Sequence, residues 1–254
     1  MNNSHNASDA FQHGHTPEEI RDRLAGPREH SYLRDFVYGA IDGAVTTFAV
    51  VSGVAGAQLD SNIVIILGAA NLIGDGFSMA AGNYLGTRAE QQVRDRTRQM
   101  EESHIDNFPE AEREEIRQIF AAKGFTGDDL ERAVEVITSD RKRWVDTMLT
   151  DELGVSLHGP SPIKAAVATF VAFVLVGALP LIVFVINVIQ PGTVPHAFVW
   201  SAAMTGIAFF VVGAMKSRFV AERWYTAGLK TLMIGGAAAI VAYFVGWALR
   251  DLVT

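Results

Sequence analysis

The sequence predicts an all-α, polytopic membrane protein with five transmembrane helices and a cytoplasmic helical insert between the second and the third. Three observations predict it. Five apolar runs, at about 36–57, 62–86, 163–189, 196–215 and 228–249, approach or exceed the length that crosses a bilayer as a helix. A polar stretch of some 75 residues separates the second run from the third, too long and too regular for a loop. Finally, with the N-terminus inside, 20 of the 21 Lys and Arg residues fall on the inward side and only Arg250 falls outside. Runs such as AAVATFVAFVLVGALPLIVFVINVI have no polar face, which a core helix of a soluble protein would carry.

The elements follow in order. Residues 1–34 read as a cytoplasmic tail and an interfacial helix. His5, His13 and His15 lie in a polar stretch that reads as a solvated tail rather than a metal site. No apolar h-region occurs in the first thirty residues, so the first span is expected to target the chain. Thr16-Pro17-Glu18-Glu19 has the form of a helix start with a capping box, and Ile20 and Leu24 would rest that helix on the membrane surface before Gly26-Pro27 breaks it. Residues 35–86 carry spans one and two, joined by a loop of only about 58–61, which predicts a tight antiparallel hairpin. Gly39 with Gly43, and Gly82 with Gly86, form G-x-x-x-G spacings that allow helix backbones to meet, and the first pair is expected on a homodimer surface.

Residues 87–160 form the insert. Span two has no stop signal at its inner end and should continue as one long helix until Pro109. Pro109 opens a second helix that Gly124 closes, a third starts at Thr126, and a fourth runs through DRKRWVDTMLTDELG. Residues 161–254 hold spans three to five, with a kink expected at Pro180. The chain carries a net charge of −7, and the insert holds most of it, with 17 Asp and Glu against 11 Lys and Arg. An acidic insert without a basic stripe argues against nucleic acid and for cations as partners. Without cysteine there are no disulfides and no thiolate metal sites, so any metal is held by oxygen, imidazole or thioether.

The chemistry-bearing residues fall in two groups. Asp42 and Asp75 lie inside the first two spans, where a carboxylate costs at least about 2.5–3.5 kcal/mol and therefore marks an ion path by default. Asn71, Asp75 and Met79, at i, i+4 and i+8, share a helix face, and Asp42 lies at a depth close to that of Met79. Carboxylates with a thioether suit a borderline divalent transition metal better than Mg²⁺ or Ca²⁺. The same carboxylates bind protons in competition with metal, which is the physical basis of a metal/proton exchanger. In the insert, Glu101 with His104, Glu112 with Glu115, and Met148 with Glu152 are spaced to converge on an ion. A Glu-x-x-His pair also occurs in di-iron carboxylate bundles, but the second such pair is missing here.

The runs DFVYGAIDGAVTTFAVVSGVAGA and NLIGDGFSMAAGNYLGTRAEQQ and the segment RWVDTMLTDELGV resemble the vacuolar iron transporter family, over about residues 35–246. The resemblance implies a five-helix protomer in a homodimer, an ion path near the dimer axis and a cytoplasmic metal-binding domain of three helices. It also implies movement of Fe²⁺, and often Mn²⁺, out of the cytosol against protons, with no permanent cofactor. Asp42 and Met79 match the family's membrane path, and Glu101, Glu112, Glu115, Met148 and Glu152 match its cytoplasmic site. Asn71, His104 and Leu149 stand where eukaryotic members can carry acids. The expectation is a secondary transporter, not an enzyme, in a bacterial inner membrane or a vacuole-like organelle membrane, with the N-terminus cytoplasmic and the C-terminus outside. Two alternatives are a membrane-tethered ferroxidase or iron-storage protein, and a metal sensor without flux.

Overall fold

The computed structural model of the chain describes residues 16–25 and 30–252, and its regular elements are all helical. The three tail histidines and the Gly26-Pro27 break lie outside the described residues, as does the Leu24 side chain. Helix α1 (Pro17–Ala25) begins with the expected capping box. Thr16 N donates to Glu19 Oε2 at 3.0 Å, and Glu19 N donates to Thr16 Oγ1 at 3.3 Å.

Helix α2 (Leu33–Gly56) crosses first and α3 (Ser61–Asn107) returns as one uninterrupted helix of 47 residues, about 70 Å at 1.5 Å per residue. Only its first half is apolar, so α3 links the membrane bundle to the insert directly. The insert continues with α4 (Pro109–Ala122), α5 (Gly127–Thr138) and α6 (Arg141–Thr147), which passes into a π-helical turn at Met148–Glu152. Pro109 starts α4 because a proline at the first helical position loses no intrahelical bond, and Gly124, at φ +97°, ends it with the left-handed residue that closes a helix.

Helices α7 (Pro162–Gly177) and α8 (Leu179–Ile189) meet at a 50° bend beside Pro180. The buried Ser201 hydroxyl donates to the Pro180 carbonyl oxygen at 2.7 Å, giving that carbonyl a partner at the bend. Helices α9 (Ala197–Lys216) and α10 (Trp224–Leu249) complete the bundle. By length and composition, four of these helices can cross a membrane, and the bent pair α7–α8, counted as one span, makes a fifth. Phe48, Val51, Leu72, Phe173, Leu181 and Phe209 pack together as the core of the spans.

Residues 57–60 join α2 to α3 by the short connection expected, and α7 packs extensively against both. One expectation about this hairpin is corrected. The Gly39/Gly43 spacing is used inside the protomer: a Cβ on Gly43 would lie 2.3 Å from the Phe173 carbonyl oxygen, and one on Gly39 would lie 2.4 Å from that of Thr169. Both glycines are buried against α7, so they form no outer surface. Sequence spacing identifies a close-approach face but not the helix that meets it.

Candidate metal centre

The insert folds around a small apolar core of Ile105, Ile116, Val134, Trp144, Val145, Met148 and Leu149. Above this core, the corner at Phe108 turns α4 back against the end of α3. That corner brings Glu112, one turn into α4, beside Glu101 and His104 on the last turns of α3. One ligand atom from each of Glu101, His104 and Glu112 lies within 4.8 Å of the other two. His104 Nδ1 is 3.6 Å from a Glu112 oxygen and 4.0 Å from a Glu101 oxygen. Two ligands on opposite sides of a divalent metal, each at about 2.0–2.2 Å, would be separated by little more than 4 Å. The gap between these atoms therefore has the width of an ion.

Burial sharpens the reading. Glu101 is 2% exposed and Glu112 4%, and Oε2 of each is buried with no hydrogen-bond partner. Buried carboxylate oxygens are normally satisfied, so two orphans in one cluster call for a cation. No basic side chain fills that role. Arg98 and Lys142 pair with Asp146, Arg141 with Asp106, Arg117 with Glu114 and Glu131, and Lys123 with Asp151. Among the described residues no Lys or Arg forms an ion pair with Glu101, Glu112, Glu115 or Glu152. The insert's bases brace its helices and leave the central acids unneutralised.

Burial pushes the Glu112 carboxyl up to about 7; the charges of Glu115, Glu101 and Glu152 add to this, and His104 opposes it. Glu101 is raised by burial and by Glu115 against His104, and Glu152 is raised by burial, Glu115 and Glu101. The structure thus gathers five of the six expected insert residues into one electrostatic unit. The sixth, Met148, is fully buried in the apolar core. The π-helical turn was not readable from the sequence; it carries both Met148 and Glu152, and π-turns recur at functional sites.

A pH dependence follows. Glu112 retains a proton in the metal-free fold that the unfolded chain loses near its ordinary value of 4.5, so the fold binds more protons than the unfolded chain between there and about 7. Stability of the metal-free protein should therefore fall as pH rises through that window. Metal binding needs the deprotonated carboxylate and should strengthen over the same window. The expected result is a melting temperature that drops between about pH 4.5 and 7 without metal, with Mn²⁺ affinity rising in parallel titrations. A Mn²⁺ affinity flat across that range would contradict the assignment.

The membrane residues fall along the α2–α3 seam. Asn71 Nδ2 donates to Thr46 Oγ1 at 3.2 Å and to Thr47 Oγ1 at 3.3 Å, and Thr46 Oγ1 donates to the Asp42 carbonyl oxygen at 2.9 Å. Asp42 and Met79 are half-buried, and Met79 packs against the core of the spans. Asp42 and Asp75 lie within electrostatic range of each other. Asp75, however, is exposed on the protomer. It faces out of the protomer although its neighbours in the i+4 series, Asn71 and Met79, are half-buried.

One continuous helix, α3, contributes to both this seam and the acidic cluster, and the regions that carry them fall inside a single family match. The family model for the VIT family matches residues 33–247, from the start of α2 almost to the end of α10. The chain belongs to the VIT family. A vacuolar iron transporter of Toxoplasma gondii is 32% identical to it, over 97% of this chain and 88% of that protein. Vacuolar iron transporter 1 of Arabidopsis thaliana is 30% identical over 83% of each chain, and that of Oryza sativa subsp. japonica is 27% identical over 93% of this chain and 91% of its own.

In this VIT family chain the polar seam extends beyond the residues read from sequence. Asn83 Nδ2 donates to Asp35 Oδ1 at 2.9 Å and to the buried Thr169 Oγ1 at 2.7 Å, while Thr87 Oγ1 donates to Asn83 Oδ1 at 3.3 Å. Asn83 and Thr87 continue the i+4 series of Asn71, Asp75 and Met79, and Asp35 is two turns before Asp42 on α2. That spacing was the available signal. It was missed because Asp35 and Thr87 border the apolar runs, where polar residues are ordinary.

Proposed function

We propose that this protein is a divalent transition-metal transporter that moves Fe²⁺, and Mn²⁺ as a second cargo, out of the cytosol in exchange for protons. The observation that carries the metal reading is the Glu101–His104–Glu112 cluster with its two buried, unpartnered carboxylate oxygens. An oxygen and imidazole donor set suits Fe²⁺ and Mn²⁺. The relatives named vacuolar iron transporter support iron as cargo. In this reading Glu101, His104, Glu112, Glu115, Met148 and Glu152 collect the ion from the cytosol, and α3 links them to the membrane path. Asp35, Asn83 and Thr87 lead into that path, and Asp42, Asn71, Asp75 and Met79 form its middle. The distribution of Lys and Arg supports an N-in, C-out orientation.

The working unit in this proposal is a homodimer. Asp75 is exposed in the apolar half of α3 and its carboxylate has no hydrogen-bond or ion-pair partner among the described residues, a costly arrangement against lipid. Gly74, Ser78 and Gly82 are exposed on the same helix, and a Cβ on either glycine would meet nothing within 4 Å. A second copy on this face would enclose Asp75 and give the path its other wall. Ser78→Cys in the cysteine-free chain should therefore cross-link between protomers under mild oxidation, while Val241→Cys on the exposed side of α10 should not. A folded Ser78→Cys sample that stays monomeric would count against the dimer.

Proteoliposomes test the function directly. Fe²⁺ should accumulate inside acid-loaded vesicles, where a ferroxidase would oxidise Fe²⁺ without accumulating it in the lumen and a sensor would bind it without flux.

A further inference from the structure

We infer that the pocket between the extra-membrane half of α3 and the loop entering α7 binds an oxyanion of the phosphate class. The pocket has a volume of about 260 Å³, with Gln91, Arg94 and Arg98 of α3 on one side and Ser156, His158 and Gly159 of the loop on the other. A water occupies about 30 Å³, so there is room for a phosphate group and its closest waters.

The pocket holds donors without partners among the described residues. Arg94 is half-buried and, among the described residues, makes no hydrogen bond and no ion pair, although Asp95 also lines the pocket. Its guanidinium rests on the peptide at Gly159, where a Cβ would lie 2.2 Å from Nη2. Gln91 Oε1 is occupied by Arg88 Nη1 at 2.9 Å, which leaves the Gln91 amide hydrogens free to donate. The backbone N–H groups of Ser156, Leu157, His158 and Gly159 donate to no other described residue. Arg98 is engaged by Asp146, so the uncompensated charge belongs to Arg94. A guanidinium fork with several N–H donors matches the oxygens of a phosphate group better than the two of a carboxylate.

Position narrows the source. The apolar half of α3 ends near Gly86, and Arg94 lies eight residues further on, about 12 Å along the helix. Headgroup regions extend only about 5–8 Å beyond the hydrocarbon, so the phosphodiester of an ordinary phospholipid sits too shallow. A phosphomonoester carried on a lipid headgroup, or a soluble phosphate, reaches the site. The loop leaves the π-turn that bears Glu152 and enters α7, so an oxyanion joining it to α3 would hold the metal centre in place relative to the spans.

The test uses the full chain, metal-free, with inorganic phosphate as probe and chloride at matched ionic strength as reference. Phosphate should raise the melting temperature saturably, and Arg94→Gln should weaken that response about tenfold or more, as expected for losing a hydrogen bond to a charged group. Arg94→Lys, which keeps the charge but not the fork, should fall between the two and serves if the Gln variant does not fold. Phosphatidylcholine nanodiscs with and without phosphatidylinositol 4-phosphate separate the sources. Stabilisation by that lipid, with loss of the response to free phosphate, identifies a headgroup; a response to free phosphate alone identifies a soluble ligand. An Arg94-independent response, or no response to either probe, would overturn the proposal.

Discussion

Asp42→Asn is expected to lower metal flux by about a hundredfold or more, beyond the 10–100-fold that loss of an outer-shell metal partner costs. The carboxylate is half-buried in α2, is repelled by Asp75 and has no hydrogen-bonding partner of its own among the described residues. It does no structural work that an amide could not do, and removing a poorly compensated charge should leave folding unharmed or improve it. The amide keeps the shape but loses the charge that holds a divalent ion and the site that carries a proton. Wild-type flux in a folded Asp42→Asn protein would exclude Asp42 from the path.

The double variant Glu101→Gln with Glu112→Gln should lose metal from the insert altogether and become more stable without metal. Both residues are almost fully buried with unsatisfied oxygens, so ionised carboxylates there cost stability that a neutral amide does not. A collecting site governs entry, so the metal concentration for half-maximal flux should rise about tenfold or more while the maximal rate changes less. The melting temperature of the metal-free variant at pH 7.5 should exceed that of the wild type, and added Mn²⁺ should raise only the latter. A solvated acidic face would give equal Mn²⁺ binding in both proteins.

The spans were legible because an unbroken apolar run has few other solutions, and the ends of the insert helices and the bend in the third span because Pro109, Gly124 and Pro180 act locally. The acidic cluster was legible as pairs at i and i+3 on single helices. Its closure was not, since Glu101 and Glu112 meet only through the turn at Phe108. Gly39 and Gly43 announced a close approach but not that α7 would make it. The link between Asn83, Asp35 and Thr169 and the pocket at Arg94 each join residues distant in sequence, and their pairing depends on how the helices pack.

Coupling between metal and protons is the centre of this account, and the direct measurement is proton movement driven by metal. Proteoliposomes loaded with a pH-sensitive dye and acidic inside, with the insert facing outward, should become more alkaline inside when Fe²⁺ is added outside. The rate should follow metal concentration and vanish in Asp42→Asn. Fe²⁺ entry with no change in internal pH, at the same rate with and without the gradient, would contradict proton exchange.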